Sequence, residues 1–336
     1  MPLSQQGFGG GATSLFRGRG SNPPPSKFIN ILFYGKFGSS NAVDGASVST
    51  YWSAASKNQY GSGSTNQYVQ SDFTRVGDGI LKFNLVAAKY KIFARSGSGS
   101  GNYSWTGMST ECEFTIASDT NVMLLIPNHG SGSYSGGGGL FFIGGTDYTN
   151  YATQVPFLIL GGGGGGYNNN NDWSKPGTLQ TGLFTTTRRG PSRGASGDYD
   201  GGAAWKNDYT PTVHGGGVSP ARAKHFVQGG KGGTITDCGA QGGFGGGGGS
   251  CPGGGGGLQG GYPGDNNHDG GSGYGGSQSW SGGQHGGGGG TSYYRPDKIS
   301  NITNTSYGSS RGGGGSQLNS EDSNHQGYFG IYTVYP

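Results

Sequence analysis

GGFGGGGGSCPGGGGGLQGGY occupies residues 242–262. Glycine loses more conformational freedom on ordering than any other residue, so such a tract needs something other than side-chain packing to hold it. Four readings are open. A flexible linker fits the composition. Yet the glycine-rich region runs from Gly161 to about Gly315 and a strand-like segment follows it. Long structureless connections are uncommon inside compact domains. Collagen demands glycine at every third position, whereas here the glycines come in unbroken runs. A phosphate-cradling loop needs a strand before it, a helix after it and, in its best-defined form, G-x-x-x-x-G-K-[ST]; Lys231 is followed by Gly232 and that motif is absent. The fourth reading is a bundle of extended three-fold helices, the polyglycine counterpart of polyproline II. Such a helix makes no internal hydrogen bonds and turns its N–H and C=O groups outward. Bare neighbours can then approach closely and satisfy each other laterally. On that reading Gly245, Gly247, Gly249, Gly253, Gly255 and Gly257 are bundle interior, and Phe244, Pro252, Leu258 and Tyr262 sit at its rim or ends.

The totals agree with a folded chain. Glycine supplies 80 of 336 residues, against a usual share of about 7%. Aromatic residues make up 12% and charged residues only 11%, the reverse of a disordered composition. A net charge of +4 is small for this length and does not mark a dedicated nucleic-acid binder. SLFRGRG, TTRRGPSRG and SSRGGGG have the letters of RNA-binding arginine–glycine segments, but their arginines are few and interrupted and read as solvated turns. The start, MPLSQQGFGGG, has neither a basic nor an apolar leader region, so no secretory signal is expected. VMLLIP and PFLIL are too short to cross a bilayer, and no membrane insertion is expected.

Outward from the tract, the chain changes character twice. Residues 1–27 are Gly-, Ser- and Pro-rich and end in SNPPPSKF, an extended arm in which Phe8, Leu15 and Phe16 are candidate anchors to a neighbouring protein. From residue 28 to 160, KFINILFYGKF, GILKFNLV, KYKIFARS, CEFTIA, NVMLLI, GLFFIG and QVPFLIL are short, β-prone and bounded by turn residues. That is the signature of strands, and no segment shows a sustained helical period. GYFGIYTVYP, 327–336, reads as a strand again, with Phe329, Ile331, Thr333 and Tyr335 on one face. The expected organisation is an arm (1–27), a β-sandwich (28–160), an inserted glycine-rich bundle with loops (161–315) and a returning strand (316–336).

In order along the chain, GILKFNLVAAKYKIFARSGSGSG, CEFTIASDTNVMLLIPNHGSG, GGGGLFFIGGTDYTNYATQVPFLILGGGGGGY and QGGFGGGGGSCPGGGGGLQGGYPGDNN resemble the glycine-rich domain of the anaplastic lymphoma kinase and leukocyte tyrosine kinase ectodomains. The likeness covers roughly residues 72–336. It implies an all-β fold: a tumour-necrosis-factor-like jelly-roll sandwich carrying an inserted polyglycine-II helix bundle. It also implies a disulfide between Cys238 and Cys251, which would add about 3 kcal/mol; a reducing compartment would leave both as thiols. Cys112 lies in a strand pattern and reads as a buried thiol. The chain has neither a kinase domain nor a membrane helix, and its glycine runs are also similar to those of adhesins at phage tail-fibre tips.

The six histidines have no metal-ligand spacing and no H-E-x-x-H occurs. No cofactor, metal or catalytic constellation is expected. The three sequons at Asn102, Asn301 and Asn304 fit the abundance of Asn, Ser and Thr. Aromatics set among Ser, Asn and Gly suit adaptable binding loops. Tyr167, Trp173, Tyr199, Trp205, Tyr262, Tyr274, Trp280 and Tyr293 are therefore candidate receptor contacts, or else caps of the bundle. The expected function is non-enzymatic: a tail-fibre, spike or adhesin subunit at the virion surface. It would be present in several copies and would bind a host glycan or outer-membrane protein. The alternatives are a purely structural virion or extracellular-matrix component and a ligand-binding ectodomain module.

Overall fold

The computed structural model describes residues 25–35, 43–57, 66–101, 104, 106–132, 134–166, 179–181, 202–206, 222–235, 240–249, 253–261, 289–306 and 326–334. The described chain is all-β apart from one seven-residue helix and short 3-10 turns. In chain order the elements are β1 (Asn30–Tyr34), α1 (Val48–Ala54), β2 (Ser56–Lys57), β3 (Thr74–Val76), β4 (Ile80–Leu85), β5 (Ala88–Arg95), β6 (Ser109–Ile116) and β7 (Thr120–Leu125). Then come β8 (Leu140–Gly144), β9 (Val155–Leu160), β10 (Leu179–Gln180), β11 (Thr234–Ile235), β12 (Ala240–Gln241), β13 (Ser292–Tyr294), β14 (Ile299–Ser306) and β15 (Tyr328–Thr333). All seven strands expected before residue 160, and the returning strand, are present.

Two sheets form a sandwich. One has the order β14-β6-β5-β15-β1-β2 and the other β10-β13-β9-β8-β7-β4-β3. The returning strand β15 lies in the middle of its sheet, antiparallel to both β1 and β5. Its Phe329, Ile331 and Thr333 are buried as alternation requires. Between the sheets, Phe142 of β8 meets Phe114 of β6 at 5.0 Å and Phe329 of β15 at 5.1 Å between ring centroids.

The burial patterns explain the two kinds of strand sequence. β5 and β6 alternate between buried and more open residues, because only one face of their sheet is covered by the partner sheet. β8 is buried along its whole length and β7 nearly so. Their second face carries another core, in which Ile80, Met123, Leu125, Phe141, Ile143, Ile159 and Tyr293 lie under Trp205, Phe226, Phe244 and Leu258. A strand buried on both faces reads as a continuous apolar run, and VMLL and LFFI are such runs. The molecule thus has three layers: sheet, sheet and glycine-rich layer.

The structure corrects the expected boundaries. β13 and β14 lie inside 161–315 yet pair with β9 and β6 of the sandwich. Conversely 96–101, 127–131 and 134–139, from the expected sandwich, join the glycine layer through backbone hydrogen bonds. Helix α1 was also unexpected. Ser47 caps it by accepting from the Thr50 N–H, and Tyr51 is its only buried side chain, too short a stretch to display a period.

Candidate functional site

The strands run directly into the glycine layer. Residues 96–101 continue β5, 161–166 continue β9 and 134–139 lead into β8. Each is six residues long. Their hydrogen bonds leave in rotation. Gly136 N–H donates to Gly248 O (2.9 Å), Gly137 to Gly163 O (2.8 Å), Gly138 to Asn128 O (3.0 Å) and Gly139 back to the first neighbour, at Gly245 O (2.9 Å). In 161–166 the donors of Gly162 and Gly165 go to Gly256 O and Gly253 O, and those of Gly163 and Gly166 go to Gly97 O and Ser100 O. The donor direction thus repeats every three residues. Neighbouring backbones supply the partners that a sheet would otherwise give.

Glycine is required by this closeness. A Cβ on Gly255 would stand 2.1 Å from Gly162 O, and one on Gly138 1.7 Å from Phe244 O. Gly247, Gly249, Gly253 and Gly257 are likewise buried against backbone. Gly245 is buried too, but 242–249 is not one uninterrupted helix. The chain turns at 244–246, with Gly245 and Gly246 at φ of +105° and +80° and Gly247 N–H donating to Gly243 O. The turn drives the Phe244 side chain into the second core. Phe244 and Leu258, expected at the rim, are both fully buried against the sheet. They pin the bare tract to the sandwich.

The contact aromatics divide. Trp205 and Tyr293 are 6% and 3% exposed. They are core residues rather than receptor contacts, because the layer closes over them. Trp205 Nε1–H donates to buried Gln154 Oε1 at 2.7 Å, and buried His225 accepts the Ala204 N–H on Nδ1 at 3.0 Å. Tyr167, Trp173, Tyr199, Tyr262, Tyr274 and Trp280 lie outside the described residues, as do Cys238, Cys251, Phe8, Leu15 and Phe16. Cys112 is buried in the first core, and burial pushes its thiol up to about 12.

The described residues that flank the aromatic-bearing segments are drawn together. Gly166 precedes 167–178, Gly202 follows 182–201 and Gly261 precedes 262–288. Gly202 N–H donates to Gly261 O, and Gly261 N–H to Gly255 O, each at 2.8 Å. Next to Gly166, Gly165 N–H donates to Gly253 O at 2.9 Å, in the same stretch. Three long segments, carrying all six of the remaining aromatics, therefore leave one glycine scaffold beside the run 253–255.

Among the described residues no group of three His, Cys, Asp or Glu side chains is placed to hold a metal, and no helix is long and apolar enough to cross a membrane. The chain matches no protein-family model and no curated protein sequence.

Proposed function

We propose that this chain is a non-enzymatic attachment protein, a tail-fibre, spike or adhesin subunit of a virion surface. It contacts a host glycan or outer-membrane protein through the Tyr- and Trp-bearing segments 167–178, 182–201 and 262–288. The reading rests on one observation: one flank of each of those segments is hydrogen-bonded to a single glycine scaffold, continuous with the strands of the sandwich. Rigid anchoring under long Ser-, Asn-, Gly- and Tyr-rich segments is how adaptable contact surfaces are carried. On this reading the layer is a polyglycine-II bundle on a jelly roll, and residues 1–27 join the subunit to its neighbour.

The test exchanges the three segments with those of a relative of different host range, leaving 253–261 and the strands in place. Host range travels with the segments if the proposal holds. If it stays with the sandwich, the segments do not read the host and the proposal is lost. Intact particles with no change in adsorption from either exchange would instead favour a purely structural virion component.

A further inference from the structure

Away from the glycine layer, a groove of about 530 Å³ is lined by Val48 of α1 and by Val69, Gln70, Ser71 and Phe73. Val69 is 50% exposed, the highest value among the large hydrophobic side chains of the described residues. Phe73 forms a buried floor, with the rings of Phe83, Phe33 and Trp52 around it at 4.8, 5.5 and 5.7 Å. This floor is held from below, so a side chain laid on Val69 and Phe73 would meet a preformed apolar surface.

The occupant is indicated by where the arm leaves. Phe28 bridges Gln67 in parallel, its N–H donating to Asn66 O at 2.7 Å and its O accepting from Tyr68 N–H at 3.0 Å. Parallel neighbours run the same way. Traced back from Phe28, the chain therefore heads away from Val69–Phe73. Among the described residues before Phe28, only the Lys27 side chain reaches back, pairing with Asp72 and standing 4.9 Å from the Tyr68 ring centroid. Pro25 is the last described residue in that direction and Pro23 and Pro24 precede it in the sequence; a proline run resists the tight reversal that would bring the arm into its own groove. Outside the described residues the arm offers 24 residues, with Leu15 and Phe16 adjacent and Phe8 further on.

We infer that the groove receives the N-terminal arm of a second copy of this chain, with Leu15 and Phe16 seated over Val69 and Phe73. The contact is heterologous: arm of one copy, groove of the next, repeated from copy to copy. It rests on the attachment reading only for the anchoring role given there to the arm, and it names the neighbour.

The test is sedimentation of the full chain at micromolar concentration, with two variants. Val69→Asp spoils the groove and Leu15→Asp/Phe16→Asp spoils the arm. The parent is expected to sediment above its single-copy mass of 34.2 kDa, and each variant at that mass. An equimolar mixture of the variants retains one sound arm and one sound groove per pair. It is expected to form two-chain complexes and nothing larger. A single-copy parent, which is also the outcome if each arm folds back on its own chain, overturns the inference. So does a variant that keeps the parent's mass, or a mixture that stays single. Val69 is half exposed and the arm variant leaves the described fold untouched, so unfolding of both variants at the parent's temperature separates lost association from lost structure. Host-cell binding by the parent separates the two proposals: a single-copy parent that binds cells sinks only the groove, and an assembled parent that binds no cell sinks only attachment.

Discussion

Gly255→Ala puts one methyl group into the glycine layer. The added carbon would lie 2.1 Å from Gly162 O, 2.7 Å from Gly162 C and 3.0 Å from Gly290 N. All three are backbone atoms, so no side chain can rotate out of the way and the segments must part. Three hydrogen bonds join the segments involved: Gly162 N–H to Gly256 O (2.8 Å), Gly290 N–H to Gly162 O (2.9 Å) and Gly256 N–H to Gly137 O (3.0 Å). A buried group left unpaired costs about 1–3 kcal/mol. Loss of two or three such bonds comes to about 2–9 kcal/mol, a large part of the ~5–15 kcal/mol that holds a domain. At about 2–4 °C per kcal/mol, melting should fall by about 4–36 °C. Gly330→Ala is the control. There the new carbon meets only the ring of Tyr332 and the end of Leu32, at 2.9 and 3.1 Å, and both can shift. The assay is thermal unfolding of both variants, with hydrogen exchange of the Gly162, Gly256 and Gly290 amides in the parent. Fast exchange at these amides, together with a Gly255→Ala melting point unchanged from the parent's, would refute the lateral-bond account and leave a flexible linker.

Trp205→Phe strands the buried Gln154 side-chain oxygen without its donor; calorimetry should show a loss of about 1–3 kcal/mol with host binding unchanged if Trp205 is structural. Thr333→Val removes the hydroxyl that accepts from Ile29 N–H at 2.9 Å and donates to Ile29 O at 3.2 Å, and urea unfolding should report a similar loss. Burial pushes Tyr51, Tyr68 and Cys112 each up to about 12 and raises Tyr90 as well. Their native values lie above the unfolded ones, about 10 for tyrosine and about 8.5 for cysteine, so the tyrosine part of this stability is whole below pH 10 and the Cys112 part below about pH 8.5, and both drain away as pH rises toward 12; circular dichroism along an alkaline titration should show unfolding in that window. In the native state Cys112 should resist thiol reagents at pH 8 and react only once denaturant opens the first core, which a colorimetric thiol count would follow.

The strands were legible where burial is simple. In β1 and β5 the buried residues alternate, and alternation shows in the letters. β7 and β8 showed as apolar runs, which reveal a doubly buried strand but not what covers its second face. That cover was the illegible part. Phe244, Leu258, Trp205 and Tyr293 stand singly among glycines and polar residues, where no period marks an inward face, so they read as rim or contact residues. β14 does not show in the letters because Ser300, Asn301 and Asn304 dilute Ile299, Ile302, Thr303 and Thr305. Its pairing with β6 is also broken by register shifts, as suits an edge strand. That bare glycine runs can be satisfied by neighbouring backbone was legible in their lack of side chains. The turn at 244–246 was not, because in an all-glycine run nothing distinguishes the residue that takes a positive φ from its neighbours.

The central place of β15 has a consequence for synthesis. Ile29 and its partner Thr333 are 304 residues apart. At roughly 5–20 residues per second, a ribosome holds β1 for about 15–60 s before β15 exists. Through that interval β1 and β5 both present an unpaired edge in the middle of what will be one sheet, the kind of edge that recruits strands from other nascent chains. Messages that stop short of codon 326 yield chains in which the two halves of this sheet never meet, and such chains are substrates for proteolysis. A cell making this protein in bulk therefore needs either a chaperone that shields those edges or widely spaced ribosomes.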